Sequence, residues 1–149
     1  MATSKKLGKG FIAGFWGAVV LIIVMYVFEW LGWIGEPGFV GIYRSFFKSD
    51  SIISQIIAAF LFAISGGIWG FIYALLSRHS TVLKGAVFGF LPSFWLWVVV
   101  LPVIGQPIFS GFTLKGILLP ILFNVVIWGS FVGAYMHGSE TVYSDNSLG

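Results

Sequence analysis

The 149-residue chain has no cysteine, which excludes disulfides, thiol nucleophiles, iron–sulfur clusters and cysteine-ligated zinc. Charge is the second scarcity. Asp, Glu, Lys and Arg make up 9% of the residues, where soluble domains carry about 25%. Eight Lys/Arg, five Asp/Glu and two His cannot solvate the surface of a water-soluble protein of this length. A soluble enzyme, a nucleic-acid binder and a disordered tail are excluded on that ground, despite a formal net charge of +3. Enzyme motifs are also missing. The chain has no paired-carboxylate constellation, no phosphate loop and no His–carboxylate metal spacing. The expectation is a non-catalytic protein with no metal and no cofactor, carrying bound lipid. What the chain has in quantity is apolar: 58% hydrophobic residues, sixteen Phe, seven Trp, and a mean hydropathy of +1.01. That composition belongs in a bilayer.

Four apolar runs cover 11–34, 52–76, 83–104 and 116–136. Each is about 20–25 residues, or about 30–37 Å as helix, enough to cross a hydrocarbon core of about 30 Å. The runs are continuous and do not alternate, unlike the short strands of a membrane barrel. The expected fold is an all-α, four-transmembrane-helix bundle in a single membrane domain. The first run follows a basic start, Lys5-Lys6-Leu7-Gly8-Lys9, as a signal peptide would. It is too long for such a segment and lacks a small-x-small cleavage site, so it reads as a retained helix. Lys5, Lys6, Lys9, Arg78 and Lys84 flank one side; Arg44, Lys48 and Lys115 flank the other. The excess of Lys/Arg predicts that both termini face the cytoplasm. Residues 138–149 are expected to form a flexible tail.

The connection between the first two runs carries its own pattern. Phe39, Ile42, Tyr43, Phe46 and Phe47 recur at helical spacing, with Arg44, Ser45 and Lys48 off that face. This predicts a short amphipathic interfacial helix over 37–49, opened by Pro37. Asp50 or Ser51 then caps the second span. Glu29, the one carboxylate inside an apolar run, falls about 28 Å along the helix from Gly10, at interface depth. Trp30 and Trp33 suit that depth. An ion pair from Glu29 to Arg44 or Lys48 is expected.

Two stretches of the chain echo one another. Lys9-Gly10-Phe11-Ile12-Ala13-Gly14-Phe15 opens the first run and Lys84-Gly85-Ala86-Val87-Phe88-Gly89-Phe90 the third. Gly35-Glu36-Pro37 follows the first and Gly105-Gln106-Pro107 the third. The second contains Ile68-Trp69-Gly70 and the fourth Ile127-Trp128-Gly129, and His79 and His137 mark their ends. This order suggests two helix-hairpin repeats about an axis along the membrane normal. Small residues stand at helical spacing in every span: Gly10 and Gly14; Ala59, Ala63, Gly66, Gly67 and Gly70; Gly85 and Gly89; Gly129 and Gly133. They let helix backbones approach in lipid, within the bundle or against a partner helix.

Polar groups at membrane depth are few. Asn124 is the strongest, with Ser65, Ser93 and Ser130 milder. Asn124 reads as glue between helices or as a ligand contact. Pro92 lies inside the third run and should kink it, with Ser93 beside it to satisfy freed backbone groups. No ionisable residue lies near the centre of a run, which argues against a proton relay or an ion-coupled pump. The two histidines sit at the ends of runs and read as interfacial rather than as haem or metal ligands.

Residues 66–79, Lys84-Gly85-x3-Gly89-Phe90, Trp95-x-Trp97, Pro102 and Gly129-x3-Gly133-Ala134-Tyr135 together give a pattern. It resembles the small bacterial integral membrane proteins of the YqhR/YagU type, over residues 8–137. The resemblance implies four glycine-rich spans in a bacterial inner membrane and transfers no activity and no site residues. Two functions fit these features. The first is an accessory subunit packed in a larger membrane complex, such as one of energy transduction, with other subunits or copies of itself as partners. The second is a small transporter or lipid-handling protein with a midplane site near Asn124.

Overall fold

The computed structural model describes residues 3–147, apart from the side chains of 143, 144 and 147. Four long apolar helices pack as a bundle, with a short helix between the first two. Helix α1 spans Ser4–Trp30, α2 Gly38–Phe47 and α3 Ile52–Leu76. Helix α4 spans Val82–Val103. Helix α5 spans Leu114–Val142 and continues as helix to Ser147. All four long helices have the length and apolarity to cross a membrane. The chain is an integral membrane protein.

Caps and breakers set the boundaries. Thr3 accepts the Lys6 N–H and starts α1 seven residues before the apolar run, because the basic first turns extend the helix. Its end comes earlier than the run's: Leu31 closes it and Gly32 takes a left-handed conformation, leaving Trp33 and Ile34 in a turn. Ser51, not Asp50, caps α3. Lys48 ends α2 in the left-handed region, so it is a backbone stop as well as a surface cation. Residues 138–147, expected as a flexible tail, are helical. Both Glu140 carboxylate oxygens accept the Ser80 N–H, at 3.1 and 3.0 Å, and this tether continues α5 beyond the apolar run.

The helices pair antiparallel through their glycines. A Cβ on Gly10 would lie 2.6 Å from the Gly70 carbonyl oxygen, and one on Gly14 2.9 Å from the Gly70 Cα. In the second pair a Cβ on Gly85 would lie 2.6 Å from the Gly133 Cα, and one on Gly89 2.7 Å from the Asn124 carbonyl carbon. No other side chain fits either seam. In hydrocarbon, backbone approach of this kind supplies the dispersion contacts that apolar burial supplies in water. The two pairs join where α1 meets α5. There Trp128 Nε1 donates to the Gly14 carbonyl at 3.0 Å and Phe28 packs on Phe123 at 5.6 Å.

Helices α1 and α3 run unbroken, whereas α4 and α5 do not. Helix α4 is interrupted at Gly89, three residues before Pro92, and widens into a π turn at Leu96–Val100. Helix α5 widens into a longer π segment, Ile121–Gly129, directly after Pro120. Each proline lacks the N–H that would bond the carbonyl four residues back. The one freed by Pro120 is Gly116 O, and the buried Trp97 Nε1 donates to it at 3.0 Å. The α4–α5 connection turns through four consecutive left-handed residues, Phe109 to Phe112. Phe109 folds back onto Phe94 and Trp97.

Candidate functional site: an apolar cleft between α3 and α4

The helices lie in the order α3, α1, α5, α4, and the ends of this row do not close on each other. The α3 and α4 backbones meet through aromatic rings: Trp69 edge-on to Phe88 and to Trp95, both at 6.3 Å, and Tyr73 on Phe88 at 5.2 Å. Bulky rings hold the two helices apart where glycines would have let them touch. Above the rings, on the α2 side, lies a cavity of about 320 Å³.

Each wall has a cause in the sequence. Small residues of α1 and α3, Ala18, Ala58 and Gly66, make the floor hollow. The α4 wall is set back by the Pro92 interruption and carries Trp95, Leu96 and Val100. Asn124 and Trp128 of the π segment form the back. Helix α2 forms the roof with Phe39, Ile42, Tyr43, Phe46 and Phe47. Its predicted apolar face therefore exists, but much of it faces the bundle. Phe39 is buried, stacked on Phe62 at 5.1 Å and edge-on to Tyr26 at 6.1 Å. Phe46 and Phe47 remain exposed. Exposed Leu61, Ser65 and Trp95 mark the mouth, which opens sideways, between α3 and α4.

The chemistry of the cavity is apolar with sparse, uncharged polar groups. No Asp, Glu, Lys, Arg or His lines it. Asn124 Nδ2 donates to Ser93 Oγ at 3.1 Å, and Ser93 Oγ lies 3.2 Å from both the Gly89 and Pro120 carbonyls. Asn124 and Ser93 form one small network between α5 and α4, in which Ser93 Oγ reaches Gly89 O rather than Phe88 O, the carbonyl that Pro92 frees. Asn124 Oδ1, Trp69 Nε1, Trp95 Nε1 and the Tyr43 hydroxyl make no hydrogen bond with any described residue. Ser65 Oγ bonds its own helix, at Phe62 O. Two to four hydrogen-bonding groups in a cavity of this size and apolarity are the ordinary make-up of a small-molecule site.

Other sequence-predicted residues fall elsewhere. Ala63 is buried in the bundle and Gly67 seats the Phe11 ring. The expected ion pair from Glu29 is not formed: Arg44 instead grips Glu36 through both guanidinium NH groups, at 3.0 and 2.9 Å, and Asp50 at 2.6 Å. The reason is connectivity. Glu36 and Asp50 flank the ten-residue α2 and close short loops onto it, while Glu29 stays on α1. The hydrogen bonds that Arg44 donates to Asp50 and then to Glu36 raise its pKa still further above physiological pH. Lys48 makes no ion pair within 4 Å among the described residues.

A second polar cluster escaped the sequence reading. Buried Ser80, in the α3–α4 connection, has its hydroxyl 2.7 Å from the Tyr73 hydroxyl and donates to Gly133 O at 2.9 Å. Its carbonyl accepts His137 Nδ1–H at 2.9 Å and its N–H goes to Glu140. Every polar atom of Ser80 is engaged, so the cluster locks α3 to α5 and has no group left over for chemistry. His79 is exposed, 2 residues outside the α3 C-cap. Among the described residues no three His, Asp or Glu gather as metal ligands. No known family model, characterised protein or solved structure matches this chain.

Proposed function

We propose that this is a non-catalytic lipid-handling membrane protein that takes an uncharged amphiphile sideways from the bilayer into the α3–α4 cleft. The observation that carries this reading is the uncharged cavity at the one seam the glycines leave open. Its lining cannot neutralise a phosphate or an ammonium at that depth, where an unpaired charge is costly. It can hold a head bearing a hydroxyl or carbonyl against Asn124, Trp69 and Trp95, with an apolar chain leaving through the mouth. The accessory-subunit reading rested on a surplus of small-residue faces. Gly10, Gly14, Gly66, Gly70, Gly85, Gly89, Gly129 and Gly133 are instead consumed in contacts within the chain, which favours the lipid-handling alternative.

The matching glycine seams also support two helix-hairpin repeats, with Gly10 and Gly14 corresponding to Gly85 and Gly89. Five basic residues on the side of the termini against three on the α2 side support cytoplasmic termini. With the YqhR/YagU-type resemblance, the proposed setting is a bacterial inner membrane.

The test is mass spectrometry of lipids and proteins that accompany the chain, purified in mild detergent at native expression level. Wild type should carry a near-stoichiometric neutral lipid. Ser65→Trp, which fills the mouth from an exposed position, should lose it. A stoichiometric protein partner released by Ser65→Trp, with no lipid retained by wild type, would establish the accessory-subunit reading instead.

A further inference from the structure

On the side of the termini, below the Trp69–Phe88 contact, the same seam opens again into a groove of opposite character. Its walls are apolar, with Tyr73 and Leu76 of α3 facing Val87, Phe88, Leu91 and Phe94 of α4. Its rim is cationic, formed by Arg78 and Lys84. Lys84 Nζ donates to His79 O at 2.9 Å, and Lys6 Nζ donates to the carbonyls of Ser77 and Arg78. Three cations thus converge on the five-residue connection between the spans. The Arg78 guanidinium makes no hydrogen bond or ion pair with any described residue. No carboxylate lines the groove. Glu140 of α5 accepts the Ser80 N–H with both carboxylate oxygens.

We propose that this groove binds one anionic phospholipid of the leaflet on the terminal side. One acyl chain lies between α3 and α4, and the phosphate sits on Arg78 and Lys84. Charge complementarity selects this occupant. The apolar walls lie at chain depth and the cations at headgroup depth, and a guanidinium offers a phosphate two parallel N–H donors. A zwitterionic lipid gains less there, because its own ammonium opposes the rim. The site is separate from the α2-side cavity, whose lining has no charge, and does not depend on that cavity's ligand.

Native mass spectrometry of the full chain tests this, released from micelles holding equal amounts of dioleoylphosphatidylglycerol and dioleoylphosphatidylcholine. Wild type should retain one phosphatidylglycerol in preference. Arg78→Gln and Lys84→Gln should each reduce that preference about fivefold, the effect expected of one cation at a membrane surface. Arg78→Lys should keep most of it. Lys115→Gln, on the other side, should leave it unchanged, and Leu91→Trp should expel both lipids by filling the groove. Equal retention of the two lipids by wild type would overturn the proposal. So would a preference that survives Arg78→Gln with Lys84→Gln, or one that Lys115→Gln reduces as much.

Discussion

The two helix pairs are joined by the same device and shaped by different ones. In α1–α3 and in α4–α5, glycines four residues apart bring antiparallel backbones into direct contact. Yet α1 and α3 are continuous helices, while α4 and α5 are broken at Gly89 and widened after Pro92 and Pro120. The comparison separates two functions of sequence in a membrane bundle. Glycine sets how closely helices approach. Proline, with the π turns around it, sets where a wall is withdrawn and a polar group exposed. The cavity lies where the straight pair and the broken pair face each other, and its polar network of Asn124 and Ser93 belongs wholly to the broken one.

The sharpest way to break this comparison is to give a seam a side chain. Gly14→Val and Gly89→Val should each destabilise the bundle by about 3 kcal/mol or more, since neither backbone can yield to the added atoms. Gly8→Val meets nothing within 4 Å and should be near neutral. Unfolding of the three variants in mixed micelles would compare them directly. If the two seams differ greatly in this cost, closeness is not set by the same device in both pairs.

Next in size is the repair of the proline defect. Trp97→Phe removes the donor to Gly116 O and should cost about 1–3 kcal/mol, the range for orphaning a buried polar group. Pro120→Ala restores a backbone donor to that carbonyl. In a Pro120→Ala background the cost of Trp97→Phe should therefore fall, which a double-mutant cycle would read as coupling. Additive losses would show that Trp97 acts by packing alone.

Asn124→Leu should cost about 0.6–2 kcal/mol, as for other hydrogen bonds between membrane helices. It should also release the neutral lipid, whereas a pure glue residue would lower stability and leave lipid content intact. The smallest effect belongs to the straight half. Glu36→Gln should loosen α2 only slightly, and less at high salt, because the Arg44 cluster is solvent-facing. The raised Arg44 pKa means its share of stability is fully present below the ordinary guanidinium range. It is lost only as pH rises through the still higher folded value, so it should not change between neutral and mildly alkaline pH.

Much of this architecture is legible in the sequence, and the gaps have physical reasons. Span number, α2 and the glycine seams follow from periodicity, which one-dimensional sequence carries well. Depth along a helix was also legible, as with Glu29 near an interface. Azimuth was not, so depth alone paired Glu29 with Arg44 or Lys48, when Glu36 and Asp50 were closer to Arg44 through the chain. The helical extension past Gly138 turns on one bond between Glu140 and Ser80, sixty residues apart, which no local pattern announces. The cleft was invisible for a related reason. It depends on Trp69 and Trp95 meeting ring to ring and holding α3 off α4, and the sequence showed Trp69 only as a landmark of an internal echo and Trp95 only as part of a resemblance pattern. Asn124 was found because an amide in an apolar run is conspicuous. Its neighbours in the cavity are ordinary membrane residues.

The central claim is that the open α3–α4 seam faces lipid and admits it. A diazirine analogue of leucine in place of Leu61, at the mouth of the cleft, would test it in native membranes. After irradiation, the intact mass of the chain should show a single neutral-lipid adduct, lost in a Ser65→Trp background. An adduct to another protein at that position, with no lipid adduct in either background, would contradict the account.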